Sequence, residues 1–249
     1  MALCELHFFS ASLGRQSACT LLIPQGVAAP WSTFYLLHGM SDDHTMWTRR
    51  TSLERYVEGW PLLVVMPENG GSGFYTDAHD GGGNYESSIL KDVLPFVEAT
   101  FPVRRERGGR CIGGLSMGGY GAMKLALKHP ALFCSANSHS GAVSLESLMK
   151  VEGSDFSRLM RRVFGDDPVG GDNDPFALAA RSDAATRPAL KVDCGVDDFL
   201  IEENRAFHAH LEKLNIAHDY DELPGAHDWA YWDTHIQDAL AFHRKNLDI

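Results

Sequence analysis

Three residue types in this chain are spaced for nucleophilic acyl chemistry: a serine crowded by glycines, a histidine in a Pro/Gly loop, and an aspartate at a strand end. Ser116 lies within Gly114-Leu115-Ser116-Met117-Gly118. The apolar run Arg110 to Leu115 leads into it, and a helical pattern with Met123, Leu125, Ala126 and Leu127 follows, closed by His129-Pro130. A strand that turns sharply into a helix strains the residue at its apex. Glycines two positions to either side leave room for that turn, because they carry no Cβ. A flexible glycine-rich loop is the bland reading of the same letters, but it does not call for a strand before and a helix after.

A serine hydroxyl is a poor nucleophile at neutral pH and needs a base within hydrogen-bond reach. Of the twelve histidines, His227 fits the chain order serine, acid, histidine, with the last two on loops after late strands. It stands in Leu223-Pro224-Gly225-Ala226-His227-Asp228-Trp229, between the last strand and the last helix. The acid belongs after the preceding strand, where Cys194-Gly195-Val196-Asp197-Asp198-Phe199 offers two neighbours. Asp198 is preferred; the other aspartate is then a cap or loop residue. Two backbone N–H groups must face the developing oxyanion. Met117 supplies one at the helix N-terminus, and Met40, in His38-Gly39-Met40 after the strand ending at Leu37, supplies the other. His38 has a catalytic reading too, although a His-Gly pair at a strand end more often shapes the loop. Trp47, Tyr75, Phe199 and Trp229 are candidate walls of the substrate pocket, with a core role equally open to each. His208, His210 and His139 lack metal-ligand spacing and read as surface or packing residues, so no metal or organic cofactor is expected.

These side chains need a scaffold. Ala2 to Phe9 and Gln16 to Ile23 read as a hairpin at a sheet edge. Further strands are expected at Ser32 to Leu37, Leu62 to Met66, Arg110 to Leu115, Leu132 to Ser138, Leu190 to Cys194 and His218 to Leu223. Helices are expected at Arg49 to Glu58, Glu86 to Phe101 with a kink or late start at Pro95, after Ser116, at Ile201 to Leu214 and at Asp228 to Asn246. The glycine-rich stretch Pro67 to Asn84 is a long loop. Val143 to Ala185 breaks the rhythm and reads as a small helical insertion over the site. The alternation describes an α/β chain, one domain over 1–249, with a mostly parallel sheet covered on both faces.

Composition narrows the partners. A formal net charge of -11 over 249 residues argues against nucleic acid or an anionic membrane. Five scattered cysteines, with no C-x-x-C spacing, read as free thiols, with Cys111, Cys134 and Cys194 expected to be buried. No secretory leader is evident at MALCELHFFS, and no apolar run approaches the ~18 residues of a spanning helix. A cytoplasmic protein acting on a small molecule, alone or as a homo-oligomer, is the expectation.

Taken together, the pieces resemble the α/β-hydrolases of the esterase D group, which holds S-formylglutathione hydrolases and short-chain (tributyrin-type) esterases. The likeness is carried by Ser12-Leu13-Gly14-Arg15, LLHGMSDDHTMW, Tyr75-Thr76-Asp77, GLSMGGYGAMKLAL, CGVDDFL with Asn204, and PGAHDWAYW, spanning almost the whole chain. The resemblance implies an α/β-hydrolase fold, a triad of Ser116, Asp198 and His227, and oxyanion donors at Met40 and Met117. The family's Gly195-x-x-Asp198 spacing favours Asp198 over Asp197. The turn reads Gly-Leu-Ser-Met-Gly-Gly-Tyr, whereas S-formylglutathione hydrolases usually show Gly-His-Ser-Met-Gly-Gly-His. That departure favours a serine carboxylesterase for short acyl esters over the glutathione thioester. Acyl transfer to an alcohol, and a non-catalytic binding role, are the other readings.

Overall fold

After three opening strands, helical segments and single strands alternate through the computed structural model, which describes residues 1–151 and 153–249. Ala2–Ser10 (β1) and Arg15–Ile23 (β2) form the antiparallel hairpin. Ser32–Leu37 (β3), Leu62–Pro67 (β4), Arg110–Leu115 (β5), Ser135–His139 (β6), Ala189–Gly195 (β7) and Asp219–Leu223 (β8) follow. They make one sheet in the order β1-β2-β4-β3-β5-β6-β7-β8. Only the β1–β2 and β2–β4 pairs are antiparallel; from β4 to β8 every pair is parallel.

Side chains on the central strands alternate between two cores, as a period of two requires for a sheet covered on both faces. Tyr35, Leu37, Leu63 and Val65 enter one; Phe34, Leu36, Val64 and Met66 enter the other. The second core is closed by the short helices Met46–Arg50 (α1) and Leu53–Tyr56 (α2) and, much later in the chain, by Trp229–Leu247 (α10). Tyr85–Ser87 (α3) sets Glu86 against the helix that follows β5, and the other helices face the first core: Leu94–Thr100 (α4), Met117–Lys128 (α5), Leu145–Lys150 (α6), Asp155–Phe164 (α7), Pro175–Arg181 (α8) and Ile201–Lys213 (α9). Every residue of α5 from Met117 to Leu127 is buried. This includes Lys124, whose ammonium is matched by Glu86 at 2.7 Å and by the Tyr75 carbonyl. Buried charge is tolerated here because it is both paired and hydrogen-bonded.

The helix expected over Arg49 to Glu58 is two helices. Thr51 is extended between them, and the Ser52 N–H is captured by Asp233 of α10 at 2.7 Å. A tertiary contact thus breaks a stretch whose local pattern is continuous. Around Pro95 the late start is what the structure shows: a π-helical segment, Ser88–Val93, leads into a helix that begins at Leu94 with Pro95 in its first turn. The wider turn relieves the clash between the proline ring and the preceding carbonyl. β6 begins three residues later than the run starting at Leu132, because Leu132 lies in the preceding turn and Phe133, buried in the first core, leads from it to the strand. The segment 143–185 carries α6, α7 and α8, with residue 152 outside the described residues. All five cysteines are free; Cys111 and Cys194 are buried, whereas Cys134 is half-buried, contrary to expectation. Among the described residues no helix is long and apolar enough to cross a membrane.

Candidate active site

The ends of β3, β5, β7 and β8 deliver the site. At the β5–α5 junction Ser116 adopts φ 52° and ψ −116°, a left-handed conformation that costs a non-glycine residue strain. Its N–H is tied to the His139 carbonyl at 2.9 Å. The turn is possible because Gly118 lies against β3: a Cβ there would sit 2.3 Å from the Leu37 carbonyl oxygen. The loops after β7 and β8 are pressed together in the same way, since a Cβ at Gly195 would sit 2.3 Å from the Gly225 oxygen. The Asp197 N–H donates to that oxygen at 3.0 Å.

This contact sets an aspartate beside a histidine. His227 Nδ1–H donates to Asp198 Oδ2 at 2.8 Å, and its Nε2 accepts from Ser116 Oγ at 3.0 Å. Asp198 is buried, and its Oδ1 accepts from the Leu200 N–H at 2.8 Å. Asp197 beside it is exposed. Burial alone would raise the Asp198 carboxyl pKa. The hydrogen bonds from His227 and the Leu200 N–H outweigh it and hold the group below its ordinary value. A carboxylate that stays ionised fixes the imidazole tautomer, leaving Nε2 free to accept a proton.

Two cavities meet at Ser116. One, of about 110 Å³, is apolar and walled by Phe74, Met117, Ala142, Leu148, Phe156 and Leu200. The other, of about 560 Å³, is wider and bordered by Asp42, Arg50, Asp228, Trp229 and Trp232. Met40 and Phe199 border both; they are 41% and 75% exposed, so two large apolar side chains stand in solvent at the partition. Phe199 also leans on the His227 ring, with centroids 4.5 Å apart. Among the described residues neither the Met40 nor the Met117 amide N–H donates to a protein acceptor. At Met117 this follows from its place as the first residue of α5.

Trp47 and Tyr75 are not pocket walls. Trp47 is buried, donates from Nε1–H to the Leu37 carbonyl at 3.1 Å, and supports Trp229 edge-on. Tyr75 is buried beneath α5, and its hydroxyl donates to the His38 carbonyl at 3.0 Å. Both aromatics brace the His38–Met40 loop from below. His38 is buried, and its Nδ1 hydrogen-bonds the Gly39 carbonyl at 2.8 Å, so it shapes that loop. Burial lowers its pKa, which keeps the ring neutral. His208 pairs with His218 at 2.7 Å and His210 with the Phe176 carbonyl at 2.9 Å. Sequence reasoning missed Phe74, Ala142, Leu148, Phe156 and Leu200 as walls of the small cavity, and Asp42 and Arg50 at the larger one. The broken rhythm after Val143 was the available signal for Leu148 and Phe156.

The model of the Esterase family matches residues 10–243. The chain belongs to this family. It is an enzyme of the serine-hydrolase class, with the α/β-hydrolase fold. An acetyl esterase of Caldicellulosiruptor saccharolyticus is 28% identical over 270 residues, covering 100% of both chains. Among solved structures, the Staphylococcus aureus fluorophosphonate-binding serine hydrolase F is 32% identical with a TM-score of 0.89, over 97% of this chain and 98% of that one. The S-formylglutathione hydrolase FrmB of Staphylococcus aureus is also 32% identical, with a TM-score of 0.85 and the same coverage.

Proposed function

We propose that the protein hydrolyses esters of short carboxylic acids through an acyl-enzyme on Ser116. The observation that carries this reading is the hydrogen bond of 3.0 Å from Ser116 Oγ to His227 Nε2 at the mouth of the small apolar cavity. His227 takes the hydroxyl proton as Oγ attacks the ester carbonyl, and Asp198 stabilises the imidazolium that forms. The Met40 and Met117 amides, both without protein acceptors, hold the oxyanion. Collapse of the tetrahedral intermediate breaks the bond to the alcohol, which leaves with the proton from His227. Water then attacks the acyl-enzyme, giving its proton to His227, and the carboxylic acid departs as Ser116 recovers its hydrogen.

The sizes of the two cavities support a division of the substrate between them. An apolar cavity of ~150 Å³ holds a benzene ring, so one of about 110 Å³ takes an acyl chain of a few carbons. The larger, open cavity, with its charged and indole borders, takes the alcohol. The test is a rate panel on p-nitrophenyl acetate, butyrate and octanoate, a feruloyl ester and S-formylglutathione, each with a Ser116→Ala control. Ser116-dependent turnover that is highest on acetate or butyrate is expected; a preference for octanoate or the feruloyl ester would overturn the size assignment. Likeness to FrmB favours a second reading, thioester hydrolysis, which dominant turnover of S-formylglutathione would select.

A further inference from the structure

The two edges of the sheet are built differently. β8, at one end, is five residues long and carries Asp219, Asp221 and Glu222. Short length and charge are common protections of an edge strand, whose unpaired N–H and C=O groups otherwise invite another strand. β1, at the other end, has nine residues and no lysine, proline or glycine. Its register against β2 runs without a bulge from Ala2↔Ile23 to Ser10↔Arg15. Two of its outward side chains are large and apolar, Leu3 at 60% and Phe9 at 62% exposed. Glu5 is the one charge on its outward face, and length, lysine, proline and bulge offer no protection.

The exposed face of β1 is self-complementary. Cys4, Leu6 and Phe8 pack on the core, and Leu3, Glu5, His7 and Phe9 face solvent. Reversed about Leu6, the solvent face pairs Leu3 with Phe9 and Glu5 with His7, twice over. We propose that β1 pairs antiparallel with β1 of a second copy around a two-fold axis through Leu6, joining the two sheets into one. Alternate residues of an antiparallel strand present both N–H and C=O to the same side. Only registers that set like-parity residues opposite one another therefore complete the ladder, and this one does. A two-fold contact uses one patch on both partners, as this sequence allows. Across the axis the His7 imidazole N–H donates to the Glu5 carboxylate of the other copy, and Leu3 covers Phe9. Within one chain His7 Nε2 already stands 3.4 Å from Glu5 Oε1, so both groups lie on the required face.

The test is light scattering on the intact protein at tens of micromolar, alongside circular dichroism and turnover of a small ester. Wild type is expected at twice 27.4 kDa. His7→Glu sets carboxylate against carboxylate and is expected to give folded, active monomer. The double variant Glu5→Lys with His7→Glu restores opposite charges and is expected to restore the dimer. A monomeric wild type overturns the proposal. So does a dimer that survives His7→Glu, or a monomer that the second change fails to rescue.

Discussion

Two histidine–aspartate pairs lie at the strand ends, their aspartates five residues apart in the chain, and of the two only His227 hydrogen-bonds a serine hydroxyl among the described residues. His227 and Asp198 are 2.8 Å apart, with the imidazole partly exposed and Nε2 on Ser116. His139 Nδ1 lies 2.9 Å from Asp193 Oδ1 and 2.8 Å from Oδ2, and both side chains are buried. Among the described residues the Nε2 of His139 has no partner, and Asp193 Oδ1 also accepts from the Tyr231 hydroxyl at 2.9 Å. The chemistry of the two pairs is the same; aim and access differ. The buried pair instead supports the other through the backbone. The His139 carbonyl receives the Ser116 N–H at 2.9 Å, and the Asp193 carbonyl receives the Ser140 N–H at 2.7 Å. One pair is placed to move a proton, and the other fixes the shelf on which the nucleophile stands.

Substitutions separate the two roles. Ser116→Ala is expected to lower kcat by about 10⁴-fold or more with an unchanged melting curve. Asp198→Asn is expected to cost about 10³–10⁴-fold in kcat, since the amide no longer holds the required tautomer. Equal activity in that variant would show the two pairs to be interchangeable and would sink the comparison. His139→Leu leaves the Asp193 carboxylate buried without its imidazole. Stability is expected to fall by about 3–5 kcal/mol, read as a lower Tm, with kcat within a few-fold of wild type at low temperature. Asp193→Asn keeps an acceptor for Tyr231, and a smaller loss of roughly 1–3 kcal/mol is expected. A large fall in kcat with little change in Tm, in either variant, would move the buried pair into the catalytic machinery.

Acid sharpens the contrast with the smallest effect. The folded Asp198 pKa lies below the unfolded value of about 3.9. Its contribution to stability is therefore complete above that value and is lost as pH falls through the folded pKa. Urea midpoints of wild type and Asp198→Asn are expected to converge between about pH 5 and about pH 2. Midpoints that diverge on acidification would contradict the sign.

Much of this arrangement is legible in the sequence because it rests on local rules. Glycine spacing marks the tight turn at Ser116, period-two hydrophobicity marks the strands, and chain order picks His227 from twelve histidines. What escaped depends on contacts between distant segments. Nothing near Thr51 announces that Asp233 will capture the Ser52 N–H and end a helix. An aromatic residue beside a loop satisfies a pocket or a core equally well, so the burial of Trp47 and Tyr75 could not be separated from the exposure of Phe199. β6 carries four polar residues, Ser135, Asn137, Ser138 and His139, all buried. Their tolerance rests in part on His243, nearly at the other end of the chain, which bonds Ser135 and Asn137 at 2.8 Å each.

The helix behind the nucleophile has no solvent face, with Met117 to Leu127 all buried and the Lys124 charge matched inside. Its amides can meet bulk water only when the surrounding layers come apart, so their deuterium uptake should report the opening of the whole domain. Ser116 is thus mounted on a part of the molecule that has no private way to loosen. Heat should therefore abolish turnover and fold in a single event, without a stage at which a folded enzyme has lost its nucleophile.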